Sequence, residues 1–201
     1  MITGLSANTY QNLQLNAGAF LLNFDYSTYT DAEALKAGIK TALETRENVL
    51  GATRGGGSFR VTPETRKIEA DGVRYGFKGD TVTDSVDVSM TGTLIEVNAD
   101  NMTRILTSAD KVKSGDKTTI TMRTNIELTD YIDKICWVGD LSNGGLVLIS
   151  MDNALNTSGL DFSFSDKSEA TLAFEFHAHQ ANVDDVDKAP FEIVYFDKKT
   201  T

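Results

Sequence analysis

The segment Val82–Val97 constrains the fold most strongly, because apolar and polar residues alternate along it. Its even positions include Val86, Val88, Met90 and Leu94. Its odd positions are small or polar: Thr83, Ser85, Asp87, Ser89, Thr91 and Thr93. A period of two is typical of a β-strand with one buried and one solvated face. We therefore predict a long strand in a sheet that has one polar face.

A second alternating segment runs from Ser168 to Gln180. One face carries Ala170, Leu172, Phe174, Phe176 and Ala178, and the other carries Glu169, Thr171, Glu175, His177 and His179. A shorter strand is predicted within Gly159–Ser165, where Leu160, Phe162 and Phe164 alternate with polar residues. The turn at 165–168 should close these two strands into an antiparallel hairpin.

Further strands are predicted from short runs rich in β-branched and aromatic residues. The runs are Ser58–Thr62, Arg66–Ala70, Val73–Lys78, Thr118–Arg123, Ile132–Val138, Leu146–Met151 and Phe191–Phe196. Asp71-Gly72 predicts a tight hairpin turn between the second and third of them. The run 146–149 is apolar at every position, so its strand should be central and covered on both faces. The number and spacing of these strands favour a β-sandwich or barrel.

Two segments have helical character. Asp31–Arg46 begins with an aspartate suited to an N-cap and places Leu35, Ile39 and Leu43 on one stripe. A shorter helix is predicted over Asp100–Ala109. The stretch Leu50–Gly57, with Gly55, Gly56 and Gly57, is predicted to be a flexible loop. We expect one domain over residues 1–201, with a helix-and-loop insertion around 25–57 and terminal arms.

Charge and composition exclude several classes of protein. Nineteen basic residues against 29 acidic ones give a net charge of −10, which argues against a protein that binds nucleic acid through its phosphates. No apolar run is long enough to cross a bilayer, and the first residues lack the layout of a signal peptide. The single cysteine, Cys136, cannot form a disulfide within the chain. We expect synthesis and folding in a cytoplasm.

A search for catalytic or binding motifs returns little. Cys136 lies in an apolar strand, which favours an inert thiol over a nucleophile. His177 and His179, with Glu175, could hold a metal ion, but the alternative of two solvent-facing histidines is favoured. The triple glycine is followed by a strand and not by the helix that a phosphate loop requires. The basic residues Arg54, Arg60, Arg66 and Lys67 are too sparse for a nucleic-acid site, and a solvated surface or a charged protein contact fits them better. We predict no enzyme activity, metal or cofactor.

Several segments together resemble the tail tube, or major tail, proteins of long-tailed bacteriophages and related prophage elements. The resemblance is carried by their order and spacing: Leu13–Phe20, Asn23–Asp25, Leu50–Phe59, Thr62–Arg66, Asp71–Tyr75, Lys78-Gly79 and Thr91–Leu94. They cover about residues 13–108. The resemblance implies a β-sandwich subunit with a flanking helix, six-membered rings that stack into a tube, and a lumen that conducts the viral genome. It also implies contacts with other tail proteins, such as the tape measure and the terminator, and a place in the virion tail.

Two hypotheses about sites follow. A polar strand face should line the lumen, because an acidic, hydroxyl-rich wall gives DNA nothing to hold; its candidates are Thr83, Ser85, Asp87, Ser89, Thr91, Glu169, Thr171 and Glu175. The stretch 25–57 should connect neighbouring rings, through Asp31, Leu35, Ile39, Gly55, Gly56 and Gly57. The alternative is a helix packed on its own sandwich.

Other functions stay open at this point. A tube protein of a contractile tail, bacteriocin or secretion device has the same general fold, and a tail terminator or neck protein could share parts of it. A carbohydrate-binding β-sandwich would need clustered exposed aromatic residues, for which Tyr26 and Tyr29 are the candidates.

Overall fold

A computed structural model describes residues 4, 6, 8–11, 13–46, 48–184 and 188–198 of the chain. In this part the chain is mostly β, with antiparallel strand pairing throughout and two α-helices. The helices are α1, Ala32–Thr45, and α2, Ala99–Leu106. The strands, numbered β1 to β10, are Ala19–Leu22, Thr53–Lys67, Thr81–Leu94, Ala109–Ser114, Lys117–Met122, Ile132–Asp140, Leu146–Asn156, Asp161–Ser163, Thr171–His177 and Phe191–Phe196.

Eight strands form one hydrogen-bonded path that β7 divides into two halves. The first half contains β1, β6, β7 and β10, and the second contains β2, β3, β8 and β9. β7 reaches the second half at its end, where Leu155 and Asn156 pair with β9. β4 and β5 form a separate two-stranded hairpin.

The main core lies between these two halves. It joins Phe20 of β1 and Ile135 of β6 to Met90 of β3 and Phe174 of β9. The rings of Phe20 and Phe174 meet edge to face, with their centroids 5.3 Å apart. The two halves therefore pack face to face as layers.

A second core lies on the opposite face of the first half, against α1. Leu35 of α1 is fully buried there among Cys136, Val138, Leu146 and Leu148. The prediction for 146–149 is confirmed, because alternate residues of β7 enter the two cores. The predicted N-cap is also confirmed: the Asp31 carboxylate accepts a hydrogen bond from the Ala34 N–H at 2.8 Å.

Two glycines make room for the main core. Gly57 and Gly92 are directly paired between β2 and β3. A Cβ at Gly92 would lie 2.5 Å from the Phe174 ring, and one at Gly57 would lie 2.3 Å from the Thr91 carbonyl oxygen. The Phe174 ring thus occupies the space that Gly92 leaves free, and the backbone of β3 closely approaches Gly57.

We predict that Gly92→Ala lowers the free energy of unfolding by about 1–3 kcal/mol, as overpacking of a core does. Urea denaturation would measure the change, and Phe174→Leu is the matched background. If the Phe174 ring causes the clash, Gly92→Ala should have a smaller effect in that background. Equal effects in both backgrounds would contradict the assignment.

The flexible loop predicted at Leu50–Gly57 is wrong in its second half. Gly55 and Gly56, with φ of +79° and +76°, form a bulge inside β2, and Gly57 resumes the pairing with β3. The strand predicted at Val73–Lys78 is also wrong. β2 continues to Lys67, and residues 68–80 form the loop of one long hairpin. Asp71-Gly72 makes a turn inside this loop and does not join two strands.

The strand predicted over Val82–Val97 is confirmed as β3 up to Leu94, where the strand ends, and the hairpin of β8 and β9 is confirmed by its register. The second predicted helix ends at Leu106, since Ala109 already belongs to β4. No helix in the described part of the chain combines the length and the apolar character that a bilayer crossing requires.

Candidate functional site

The polar residues of β2, β3, β8 and β9 form one continuous surface, which we call the polar face. It lies on the side of the sheet opposite the main core. Its rows are fixed by the strand register: Ser58–Thr91–Glu175, Arg60–Ser89–His177, Thr62–Asp87 and Glu64–Ser85. Thr171 lies further along β9, opposite Ser163 of β8. The register thereby brings together six of the eight predicted lumen residues: Ser85, Asp87, Ser89, Thr91, Thr171 and Glu175.

Hydroxyl groups and carboxylates dominate the polar face. The hydroxyls of Ser58 and Thr91 lie 2.8 Å apart, and the Ser85 hydroxyl donates to Glu64 at 3.0 Å. His177 Nδ1 lies 2.7 Å from an Asp87 oxygen, and its Nε2 lies 3.6 Å from a Glu175 oxygen. The imidazole therefore bridges two carboxylates on neighbouring strands.

The strand register does not place two of the predicted lumen residues on the polar face. A bulge at Asp84 shifts the register, so that Thr83 pairs with Thr65 while Ser85 pairs with Glu64. Since side chains alternate along β2, Thr83 lies on the side opposite Ser85. Glu169 precedes β9 and forms an ion pair with Arg54, whose hydrogen bond lowers the pKa of the Glu169 carboxyl.

The polar face also carries positive charge, which comes from β2 and is not visible in the sequence of β3 alone. β2 brings Arg60 opposite Ser89, and Arg66 binds Asp84 with its Nε 2.8 Å from the carboxylate. Arg60 has no ion-pair partner among the described residues. Carboxylates still outnumber arginines, since Glu64, Asp84, Asp87, Asp161 and Glu175 share this side of the sheet with Arg60 and Arg66.

The two histidines of the predicted pair contact different partners. His177 contacts Asp87 and Glu175, whereas His179 lies beyond β9, where its Nδ1 is 3.1 Å from the Asn153 carbonyl oxygen and its ring meets that of Tyr131. Across the described ranges no group of three or more histidine, cysteine or acidic side chains is arranged to hold a metal ion.

Cys136 is fully buried on β6, beneath α1. Burial raises the pKa of its thiol to about 12. Its Sγ lies 3.9 Å from the Phe24 carbonyl oxygen. The thiol is therefore protonated at neutral pH and out of reach of solvent, as expected of a core residue.

The residues predicted to connect rings fall into two groups. Asp31 caps α1, and Leu35 and Ile39 pack into the core beneath it, so α1 packs against the sheet of its own chain. Gly55, Gly56 and Gly57 belong to β2. A role of these residues between rings remains a prediction.

A projecting hairpin is the feature that the sequence patterns missed. β2 and β3 pair over 53–67 and 81–94, but only their inner ends pack against the core. We call the outer part, residues 60–87 with the loop 68–80, the arm. Its apolar side chains are exposed: Val61, Ile68, Val73, Tyr75, Phe77 and Val86, with Tyr75 at 87% and Val86 at 50% exposure.

The loop of the arm is nevertheless ordered by its own contacts. The Ile68 N–H donates to the Asp80 carbonyl oxygen at 2.7 Å, which extends the strand pairing by one step. The Asp80 side chain is buried and accepts from the Phe77 N–H at 3.2 Å and from the Thr81 hydroxyl at 2.9 Å. The exposed apolar residues are thus presented on a defined loop.

One sequence signal could have located the arm. The period of two in 82–97 is longer than the usual strand of about 3–10 residues. Val86 is predicted to be core, yet it lies outside the core cluster.

Comparisons with known proteins add no relative: no protein-family model matches the chain, and no curated protein is found to be similar to it.

Proposed function

We propose that this chain is a structural subunit that assembles with copies of itself into stacked rings, forming the tail tube of a long-tailed bacteriophage or a related prophage element. The observation that carries the proposal is the arm, an ordered hairpin that exposes apolar side chains beyond its own core. Apolar side chains grouped in this way mark a contact with another protein. The six-membered ring is an expectation from the family resemblance.

The distribution of charge supports contact between copies through the arm. Residues 53–94 contain six basic and six acidic side chains, so the remainder of the chain carries the whole net charge of −10. Two copies repel each other through most of their surface. The hairpin of β2 and β3 is the neutral part, and it can approach another copy with the least repulsion.

The polar face fits the wall of a conduit for DNA. Its carboxylates outnumber its arginines, of which Arg66 is neutralised by Asp84, and its hydroxyls carry no charge, with Ser89 among them buried. Binding to DNA requires cations that displace the counterions of the phosphates. A wall of this composition lets DNA pass without holding it, and we assign it no cofactor and no catalytic role.

The alternatives differ in what they need from the structure. A contractile tail, a bacteriocin or a secretion device would use the same subunit contacts, and a terminator or neck protein would form one ring without stacking. The carbohydrate-binding alternative loses its aromatic candidates, because Tyr26 is buried and hydrogen-bonded to Ser150 while Tyr29 stacks on Phe24.

The proposal is tested by the mass of the purified protein over a wide range of concentration, measured by light scattering. We expect a small species at low concentration that converts into particles of very large mass as the concentration rises. A particle that stops at one ring would favour a terminator. A monomer at every concentration would contradict assembly altogether.

A further inference from the structure

The free edge of β2 poses a problem for a protein that exposes a long hairpin. β2 pairs with β3 on one side only, and no described residue pairs with its other edge along Thr53–Lys67. An open strand of this length is a template for pairing with any other strand, which leads to aggregation. β2 contains Pro63, one of only two prolines in the chain.

The direction of each N–H group in β2 follows from two hydrogen bonds. The Ala178 N–H donates to the Val88 carbonyl oxygen at 2.9 Å, so the peptide groups of Val88 point toward β9. The N–H and C=O groups of the neighbouring residue Asp87 therefore point toward β2. The same groups of Thr62, which pairs with Asp87, point toward β3. Pro63, the next residue, must point away from β3.

A hydrogen bond at the far end of the hairpin independently gives the same direction for the N–H groups of β2. The Ile68 N–H donates across the hairpin to the Asp80 carbonyl oxygen, so Ile68 also points inward. In this part of β2, the backbone N–H and C=O groups of even-numbered residues thus point toward β3, and those of odd-numbered residues point to the free edge. Proline has no N–H, so the edge lacks a donor at Pro63, midway between Val61 and Thr65.

We infer that Pro63 closes the free edge of β2 to strand addition, so that the β2 side of the arm meets a second copy of the chain through its apolar side chains and not through the backbone of β2. Placing the missing donor at an outward position leaves the pairing with β3 intact. The positively charged residues Arg60, Arg66 and Lys67 on the same strand add to this protection. The part of the inference that concerns a second copy rests on the proposed function.

The first experiment opens the edge. Pro63→Thr supplies the missing N–H with a residue that favours strands, and Glu64→Thr is the matched control because its N–H points inward. We expect Pro63→Thr to bind thioflavin T and to form irregular aggregates at a protein concentration several-fold below that of the control. Equal behaviour of the two variants would overturn the inference.

The second experiment removes a further outward donor. Thr65→Pro should leave the melting temperature within about 4 °C of the unaltered protein and should leave assembly unchanged, whereas Glu64→Pro, which breaks a bond to β3, should lose both. A folded Thr65→Pro variant that no longer assembles would show that copies pair through this edge, against the inference.

These outcomes are separable from failure of the proposed function. If the unaltered protein stays monomeric at every concentration, the tube proposal fails. The comparison of Pro63→Thr with Glu64→Thr then still decides whether Pro63 protects the edge, because its readout is aggregation of the variant and does not need tubes.

Discussion

Replacing residues 69–79 with Asn-Gly should abolish tube formation and leave a folded monomer. The shortened loop would connect Ile68 to Asp80, which already face each other across the hairpin, and Asn-Gly is the two-residue turn that such a hairpin favours. The change removes the exposed side chains Val73, Tyr75 and Phe77 and no residue of either core. Light scattering would measure assembly, and urea denaturation would measure the stability of the monomer.

A milder variant separates loss of the apolar contact from loss of the loop. Tyr75→Ser with Phe77→Ser keeps the loop and the backbone bond from residue 77 to Asp80. We expect it to raise the concentration needed for assembly, with the stability of the monomer changed by less than about 0.5 kcal/mol, as is usual for exposed positions. Assembly of the shortened variant at the normal concentration would show that the arm tip is not a contact.

Reversing charge on the polar face should turn a wall that does not bind DNA into one that does. Asp87→Lys with Glu175→Lys replaces two carboxylates by two cations in every subunit, and a tube repeats this change along its length. We expect tubes of this variant to bind duplex DNA with a micromolar dissociation constant or tighter, and to lose at least tenfold in affinity when the salt concentration rises about fourfold. The unaltered tubes should show no binding under the same conditions.

The matched control carries the same total charge in another place. Asp116→Lys with Asp133→Lys reverses two exposed carboxylates, one in the turn between β4 and β5 and the other on β6, away from the polar face. Electron microscopy would first establish that both variants form tubes, and DNA binding would be measured by fluorescence anisotropy with short fragments that can enter the lumen. Equal binding by the two variants would contradict a lumen lined by the polar face.

The β-rich fold could be predicted from the sequence because its strands obey local rules. β3 and β9 alternate strictly, β7 is apolar on both faces, and the N-cap of α1 has the residue type that a helix start requires. In each case the pattern along the chain matches the surroundings that the strand or helix finally occupies. Local pattern and tertiary packing agree at these positions.

The failures have physical causes as well. β1 is a run of four apolar residues, and it pairs with β6, which lies more than a hundred positions away in the sequence. β4 has almost no alternation because it belongs to a small hairpin outside the core. The glycines at 55 and 56 look like a flexible loop, but their left-handed backbone forms a bulge that only the partner strand makes visible.

The candidate site shows the same division. Alternation along β3 correctly grouped Ser85, Asp87, Ser89 and Thr91 on one side, whereas the bulge at Asp84 removed Thr83 from that group. The neighbours across the strands, Arg60 and His177, depend on a register that one chain segment cannot reveal. The arm was missed because the sequence shows how long a strand is and not where its core ends.

A three-dimensional reconstruction of the particles that the purified protein forms at high concentration would show which residues line their interior. We expect a hollow tube of stacked rings in which Asp87 and Glu175 face the channel and the arm of each subunit packs against another copy. A tube with Asp87 and Glu175 on its outer wall would contradict the assignment of the polar face, and solid or irregular particles would contradict the tube itself.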